Sequence, residues 1–103
     1  MTTATRLANL RRRLAEESLD ALVVSDAVNR RYLSGFTGSA GHLIVGADAA
    51  LFAVDSRYYE QVSQQAPDFT LEKVGYDFVA NLARILGEAS ARRVGFEART
   101  LTV

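Results

Sequence analysis

The sequence predicts an α/β domain of three layers, α/β/α, in which helices cover both faces of a mixed, mostly parallel five-stranded sheet. Two observations support this fold class. Short β-branched apolar runs alternate with segments whose apolar residues recur at helical spacing, in the order α-β-α-β-β-α-β-α-β. Helices between strands favour parallel neighbours and right-handed crossovers, whereas the one direct β-β step predicts an antiparallel hairpin.

The first elements are a helix and a buried strand. Leu7, Leu10 and Leu14 recur at helical spacing, so residues 5–18 are predicted to form an amphipathic helix. The next run, ALVVS at residues 21–25, is almost entirely apolar, which is typical of a strand covered on both faces.

A short helix and a hairpin follow. Asp26 stands at the N-cap of a helix over residues 27–33, and Gly35 lies where a residue with positive φ ends a helix at least cost. Residues 42–45 and 51–54 are apolar runs separated by a Gly-Ala-Asp turn, which predicts two antiparallel strands.

The second half of the chain predicts two further helices and two strands. Asp55 or Ser56 caps a helix over residues 57–65, and residues 69–74 form an edge strand. Residues 93–97, in which apolar and charged side chains alternate, form the last strand. The helix before it, with Asp77 as its predicted N-cap, is indicated by an apolar stripe of Phe78, Leu82, Ile85, Leu86 and Ala89.

Composition excludes several functions. The 103 residues suffice for one domain, and a formal net charge of zero argues against nucleic acid or an acidic membrane surface as a partner. The chain has no cysteine, which excludes disulfides and zinc-thiolate sites and fits a reducing compartment, so we expect a cytoplasmic protein. The longest uncharged apolar run, residues 49–54, is too short to span a bilayer.

The glycines of the stretch YLSGFTGSAGHLIVG raise the question of a phosphate site. Gly35, Gly38 and Gly41 lie between a helix and a strand, whereas phosphate loops place their glycines between a strand and a following helix. We expect these glycines to serve tight turns and close packing instead. His42, the only histidine, lacks partners for a zinc site or a Ser-His-Asp triad and is expected to begin a strand.

Three carboxylates suggest an alternative, an independent magnesium-dependent enzyme. Asp26, Asp55 and Glu97 follow predicted strands, and open α/β sheets bind ligands at the carboxyl ends of their strands. Mg²⁺ prefers oxygen ligands, so the three acids would support phosphoryl transfer or a nuclease-like reaction. The competing interpretation is that both aspartates are helix caps.

Arg57 and Tyr58 are the candidate substrate-binding residues. A guanidinium grips a carboxylate through two parallel hydrogen bonds, and an aromatic ring beside it adds apolar contact. The competing interpretation is a surface arginine next to core tyrosines.

Three segments carry a resemblance to a known family. Residues 29–41, NRRYLSGFTGSAG, resemble the N-x-x-Y-L-(T/S)-G-F-x-G-S-A-G segment of the N-terminal domain of creatinase, prolidase and Xaa-Pro aminopeptidase metallopeptidases. Residues 55–58, DSRY, resemble the D-G-R-Y motif of that family, with Ser56 where glycine is usual. Residues 94–97, VGFE, resemble its closing strand.

This resemblance implies that residues 1–103 are an N-terminal domain with a ribonuclease H-like motif, and that a C-terminal pita-bread catalytic domain is absent from this chain. The catalytic domain of such peptidases holds two divalent metals, commonly manganese, cobalt or zinc, and removes a residue that precedes proline. The intact Gly-Ser-Ala-Gly favours the aminopeptidase branch. The end at Val103, soon after the last strand, also looks like a domain cut from a longer chain.

The same resemblance assigns a supporting role to this domain. It would have no catalytic residue, metal or cofactor of its own and would shape the substrate cleft, with Arg57 and Tyr58 as substrate contacts. Its implied partners are its own catalytic domain, further copies of the chain in a homodimer or larger oligomer, and a proline-containing peptide.

Overall fold

A computed structural model describes residues 2–75, 78–88 and 91–97. Five strands form one sheet in the order β4-β3-β2-β1-β5. The strands are β1 (Ala21–Val24), β2 (His42–Gly46), β3 (Ala50–Val54), β4 (Thr70–Lys73) and β5 (Val94–Phe96). The helices are α1 (Thr3–Glu16), α2 (Ala27–Ser34), α3 (Tyr59–Gln65) and α4 (Phe78–Glu88).

Strand directions confirm the mixed, mostly parallel sheet. β2 pairs antiparallel with both β1 and β3, while β5 is parallel to β1 and β4 is parallel to β3. Four of the five described strands therefore run in one direction, and β2 alone runs in the other. The turn of the predicted β2–β3 hairpin is closed by a hydrogen bond from Gly46 N to Ala49 O. Arg11 of α1 donates to the carbonyl oxygens of Gly46 and Ala49, at 2.8 and 3.0 Å.

Two apolar clusters make the three layers. Helices α1, α2 and α3 cover one face of the sheet, and α4 covers the other. β1 shows the alternation of a strand, since Val24 belongs to the first cluster and Val23 to the second. The first cluster includes Leu7, Leu14, Leu33, Phe36, Leu43, Val45, Phe52, Val54, Val62 and Phe69. The second is formed by Ala21, Val23, Ile44, Ala53, Val74 and Ile85.

Local capping sets most helix boundaries. The hydroxyl of Thr2 accepts from Thr5 N, so α1 begins at Thr3, two residues before the prediction. The carboxylate of Asp26 accepts from two N–H groups of α2, and Gly35 ends that helix at φ 82°, as predicted.

The helix predicted over residues 57–65 is a 3-10 turn, Ser56–Tyr58, followed by α3. Asp55 caps the turn by accepting from Arg57 N. The predicted cap Asp77, the side chain of Phe78 and Ala89 lie outside the described residues. No helix in the described part of the chain is both long and apolar enough to cross a membrane.

The topology brings chemically useful residues to one edge of the sheet. The carboxyl ends of β1, β3, β4 and β5 and the first residue of β2 lie together because β2 alone runs in the opposite direction. We call this region the carboxyl edge, by which we mean the end of the sheet where four strands terminate and not an outermost strand. It comprises Ser25, Asp26, His42, Asp55, Gly75 and Glu97. Open α/β sheets usually bind ligands at such an edge.

Candidate functional site

Arg57 projects from the carboxyl edge in a fixed orientation. Its Nε and Nη2 donate to the two carboxylate oxygens of Asp55, at 2.9 and 2.8 Å, and its side chain remains 67% exposed. These bonds, together with the one from Arg57 N, hold the pKa of Asp55 below its ordinary value. Ser56 has no left-handed φ, so this turn accepts serine in place of the usual glycine.

Tyr58 joins the glycine-rich segment to the turn that carries Arg57. Its hydroxyl is hydrogen-bonded to Ser39 Oγ at 2.7 Å, and its ring meets Phe36 edge-on with centroids 5.8 Å apart. The Arg57 guanidinium lies 5.2 Å from the centre of the same ring. The two motifs therefore form one unit in the structure, and the contact with Tyr58 explains a serine at position 39. Its neighbour in sequence, Tyr59, packs against the first apolar cluster.

His42 begins β2, as predicted, and is held by Ser25. Its Nδ1 lies 2.7 Å from Ser25 Oγ. Burial of the imidazole, helped by the positive charge of Arg30, lowers the pKa of His42 below its ordinary value of 6.5. Both effects favour the neutral form of the ring.

Arg30 is a structural residue that the sequence analysis did not single out. It is only 5% exposed, and its guanidinium donates to the carbonyl oxygens of Ser25 and Gly38 at 2.7 and 3.3 Å. It thus ties the end of β1 to the glycine-rich loop. The only sequence signal was its position three residues before Leu33, on the inward face of α2.

The glycine-rich loop serves packing, as predicted, at its second and third glycines. Gly38 lies directly against the Phe36 ring, where any Cβ would overlap ring atoms. Gly41 has φ 137° and lies against Phe52 and Val54. The loop therefore brings backbone close to buried rings, and this requires residues without a Cβ.

The structure does not bring together the three acids of the magnesium alternative, Asp26, Asp55 and Glu97. Among the residues that the structure describes, no three His, Cys, Asp or Glu side chains are grouped closely enough to hold a metal ion. Asp26 caps α2 and Asp55 binds Arg57. Glu97 accepts hydrogen bonds from Ser25 N, Asp26 N and the side chain of Asn29, so it closes the end of β5 onto the start of α2.

A pocket of about 160 Å³ opens at the carboxyl edge between β2, β3 and the end of β4, and we call it the edge pocket. Tyr58 forms one wall, and His42 and Asp55 contribute its polar groups. The lining residues are Ala40, Gly41, His42, Ala53, Val54, Asp55, Tyr58, Val74 and Gly75. The candidate site is therefore a small pocket beside an exposed guanidinium.

The fold defines a class of protein, a small mixed α/β domain, and here it carries a pocket at the carboxyl ends of its strands. The sequence profile of the Creatinase/Prolidase N-terminal domain matches residues 6–103, and the chain belongs to that family. Family membership and the structural likeness below confirm the resemblance that the three motifs suggested.

Relatives of this chain include peptidases and their N-terminal domains. The peptidase YqhT of Bacillus subtilis is 32% identical over 97 residues, which cover 94% of this chain and 28% of that protein. A Xaa-Pro dipeptidase from Bacillus anthracis superposes with a TM-score of 0.89 at 28% identity, over 93% of this chain and 27% of the other. The N-terminal domain of the cytoplasmic peptidase PepQ from Mycobacterium tuberculosis has a TM-score of 0.81 and 42% identity, over 90% and 72% of the two chains. This chain thus spans little more than a quarter of YqhT and of the Bacillus anthracis dipeptidase.

Proposed function

We propose that this chain is the non-catalytic N-terminal domain of a proline-specific metallopeptidase of the Xaa-Pro aminopeptidase or dipeptidase type. The observation that carries the proposal is the family match over residues 6–103, combined with the short share of the full-length peptidases that this chain spans. The missing C-terminal domain would supply hydrolysis with two divalent metals, manganese, cobalt or zinc.

The carboxyl edge would then form one wall of the substrate cleft. Arg57 is exposed and oriented by Asp55, so it presents its guanidinium to a peptide without having to lose rotamer freedom on binding. Tyr58 is fixed by Ser39 and Phe36 and offers a ring face next to it. These two residues are our proposed substrate contacts.

We further propose a cytoplasmic homodimer or larger oligomer, in which the domain of one subunit lies near the active site of another. One relative is named a cytoplasmic peptidase, and the chain has no cysteine. In such an assembly the carboxyl edge would complete a neighbouring cleft.

An activity assay tests the proposal that this domain is non-catalytic and that the C-terminal domain carries out hydrolysis. The purified 103-residue chain, supplied with manganese, is expected to show no hydrolysis of a peptide with proline at its second position. The full-length protein under the same conditions is the positive control. Metal-dependent turnover by the chain alone would overturn the proposal.

Replacing Arg57 by alanine in the full-length protein is expected to lower kcat/KM for such a peptide by roughly 10- to 100-fold. This range corresponds to the loss of a charge-assisted hydrogen bond of about 1.5–3 kcal/mol. Arg12→Ala removes an exposed arginine of α1 and is the matched control. Unchanged kinetics for Arg57→Ala, with the fold verified by circular dichroism, would exclude Arg57 as a substrate contact.

A further inference from the structure

We propose that the edge pocket is a specificity subsite that accepts one uncharged aliphatic side chain of the peptide substrate. The inference rests on the proposed function, because it requires a peptide at the carboxyl edge. It adds to the proposed function a preference for substrates with an uncharged aliphatic side chain at one position.

The lining of the pocket suits an aliphatic group. Ala40, Ala53, Val54 and Val74 supply apolar surface, and the ring of Tyr58 adds an apolar wall. The pocket measures about 160 Å³, and an apolar cavity of about 150 Å³ is known to accept benzene. A side chain the size of valine or leucine therefore fits.

The polar groups at the mouth carry no net charge near neutral pH. Asp55 is ionised, but both of its carboxylate oxygens are bonded to the Arg57 guanidinium, which balances its charge. The imidazole of His42 is half-buried and bonded to Ser25. When a peptide is bound, Arg57 is engaged by both Asp55 and the peptide, so a lysine or aspartate entering the pocket would lose hydration without gaining an unengaged counter-charge.

The position of the pocket connects it to the proposed substrate contacts. Tyr58 follows Arg57 directly in the chain and lines the pocket, while Ser39 and Phe36 hold its ring in place. Arg57 is bonded to Asp55, which also lines the pocket, so a peptide bound to Arg57 lies next to the pocket.

Gly75 makes the pocket testable. It lines the pocket, its φ is not left-handed, and a Cβ placed on it meets no described atom within 4 Å. Gly75→Val therefore adds bulk at a residue that lines the pocket, and its Cβ meets no described atom. Gly87 of α4 also has open space around it, so Gly87→Val is a matched control away from the site.

The experiment measures kcat/KM of the full-length peptidase on two peptide series, Yaa-Pro-Ala and Ala-Pro-Yaa, in which Yaa is alanine, valine, leucine, aspartate or lysine. In one of the two series we expect kcat/KM for the valine and leucine peptides to be roughly 10-fold higher than for the alanine peptide, because even one extra methylene group in an apolar pocket has an effect of this size. We expect kcat/KM for the aspartate and lysine peptides to be lower than for the alanine peptide. Gly75→Val should reduce the valine-to-alanine ratio to about one, while Gly87→Val keeps it.

Two results would overturn the subsite. One is a valine-to-alanine ratio that Gly75→Val leaves unchanged in both series. The other is a Gly75→Val enzyme that changes its sedimentation coefficient but not its side-chain preference, which would assign the pocket to a neighbouring subunit. Failure of the proposed function is distinct, because the wild-type full-length protein would then cleave neither series.

Discussion

Phe36→Ala is expected to lower the free energy of unfolding of this domain by about 3–5 kcal/mol, the usual cost of removing a buried phenylalanine ring. The side chain is 1% exposed and meets Phe52 edge-on with centroids 4.7 Å apart. The Phe36 ring also packs edge-on against the Tyr58 ring, with centroids 5.8 Å apart. A domain of ordinary stability has only about 5–15 kcal/mol to lose, so this change removes a large share of the total.

Urea denaturation of the chain, followed by far-ultraviolet circular dichroism, measures this loss. Phe96→Ala is the matched control, because it makes the same truncation at a residue that is 61% exposed. We expect it to change stability by less than about 1 kcal/mol. Equal losses for the two variants would show that Phe36 does not anchor the first apolar cluster.

The sequence was sufficient for the fold because each element carries its own signal. The stripe of Leu7 and Leu14, the apolar run of β1 and the cap at Asp26 are local patterns, and each forms the structure it predicts. The order of elements predicted the antiparallel β2–β3 hairpin and a mixed sheet. It did not predict the antiparallel pairing of β1 with β2, because α2 lies between these two strands. Local periodicity does not distinguish a 3-10 turn from α-helix, and for this reason the helix after Asp55 was predicted to begin too early.

The site was less predictable because it is built from contacts between distant residues. Ser39 meets Tyr58 and Glu97 meets Asn29 across separations of 19 and 68 residues. No pattern within a short window encodes such a pairing. Carboxylates at strand ends suggested metal binding, yet Glu97 proved to be a hydrogen-bond acceptor for the start of α2. The topology places these side chains at the carboxyl edge, but only the folded structure shows which of them form hydrogen bonds with each other.

Gly41→Ala is expected to destabilise the domain by about 2–6 kcal/mol, through backbone strain and overpacking and not through a lost contact. Gly41 has φ 137°, a conformation that residues with a side chain rarely adopt. An added Cβ would also lie 2.7 Å from Phe52 Cε1 and 2.9 Å from Val54 Cγ1, both fully buried. Backbone strain of about 1–3 kcal/mol and overpacking of about 1–3 kcal/mol therefore act together.

Gly87→Ala separates these two penalties from the generic effect of adding a methyl group. Gly87 lies in α4 with open space around it, so alanine there should stabilise the chain by up to about 1 kcal/mol through helix propensity. Opposite signs for the two substitutions in the same urea experiment are the expected result. If Gly41→Ala were neutral, the loop before β2 would have room to move away from Phe52, and the close packing that we assign to this glycine would be wrong. Since Gly41 also lines the edge pocket, that outcome would mean that the pocket wall is not fixed by the core beneath it.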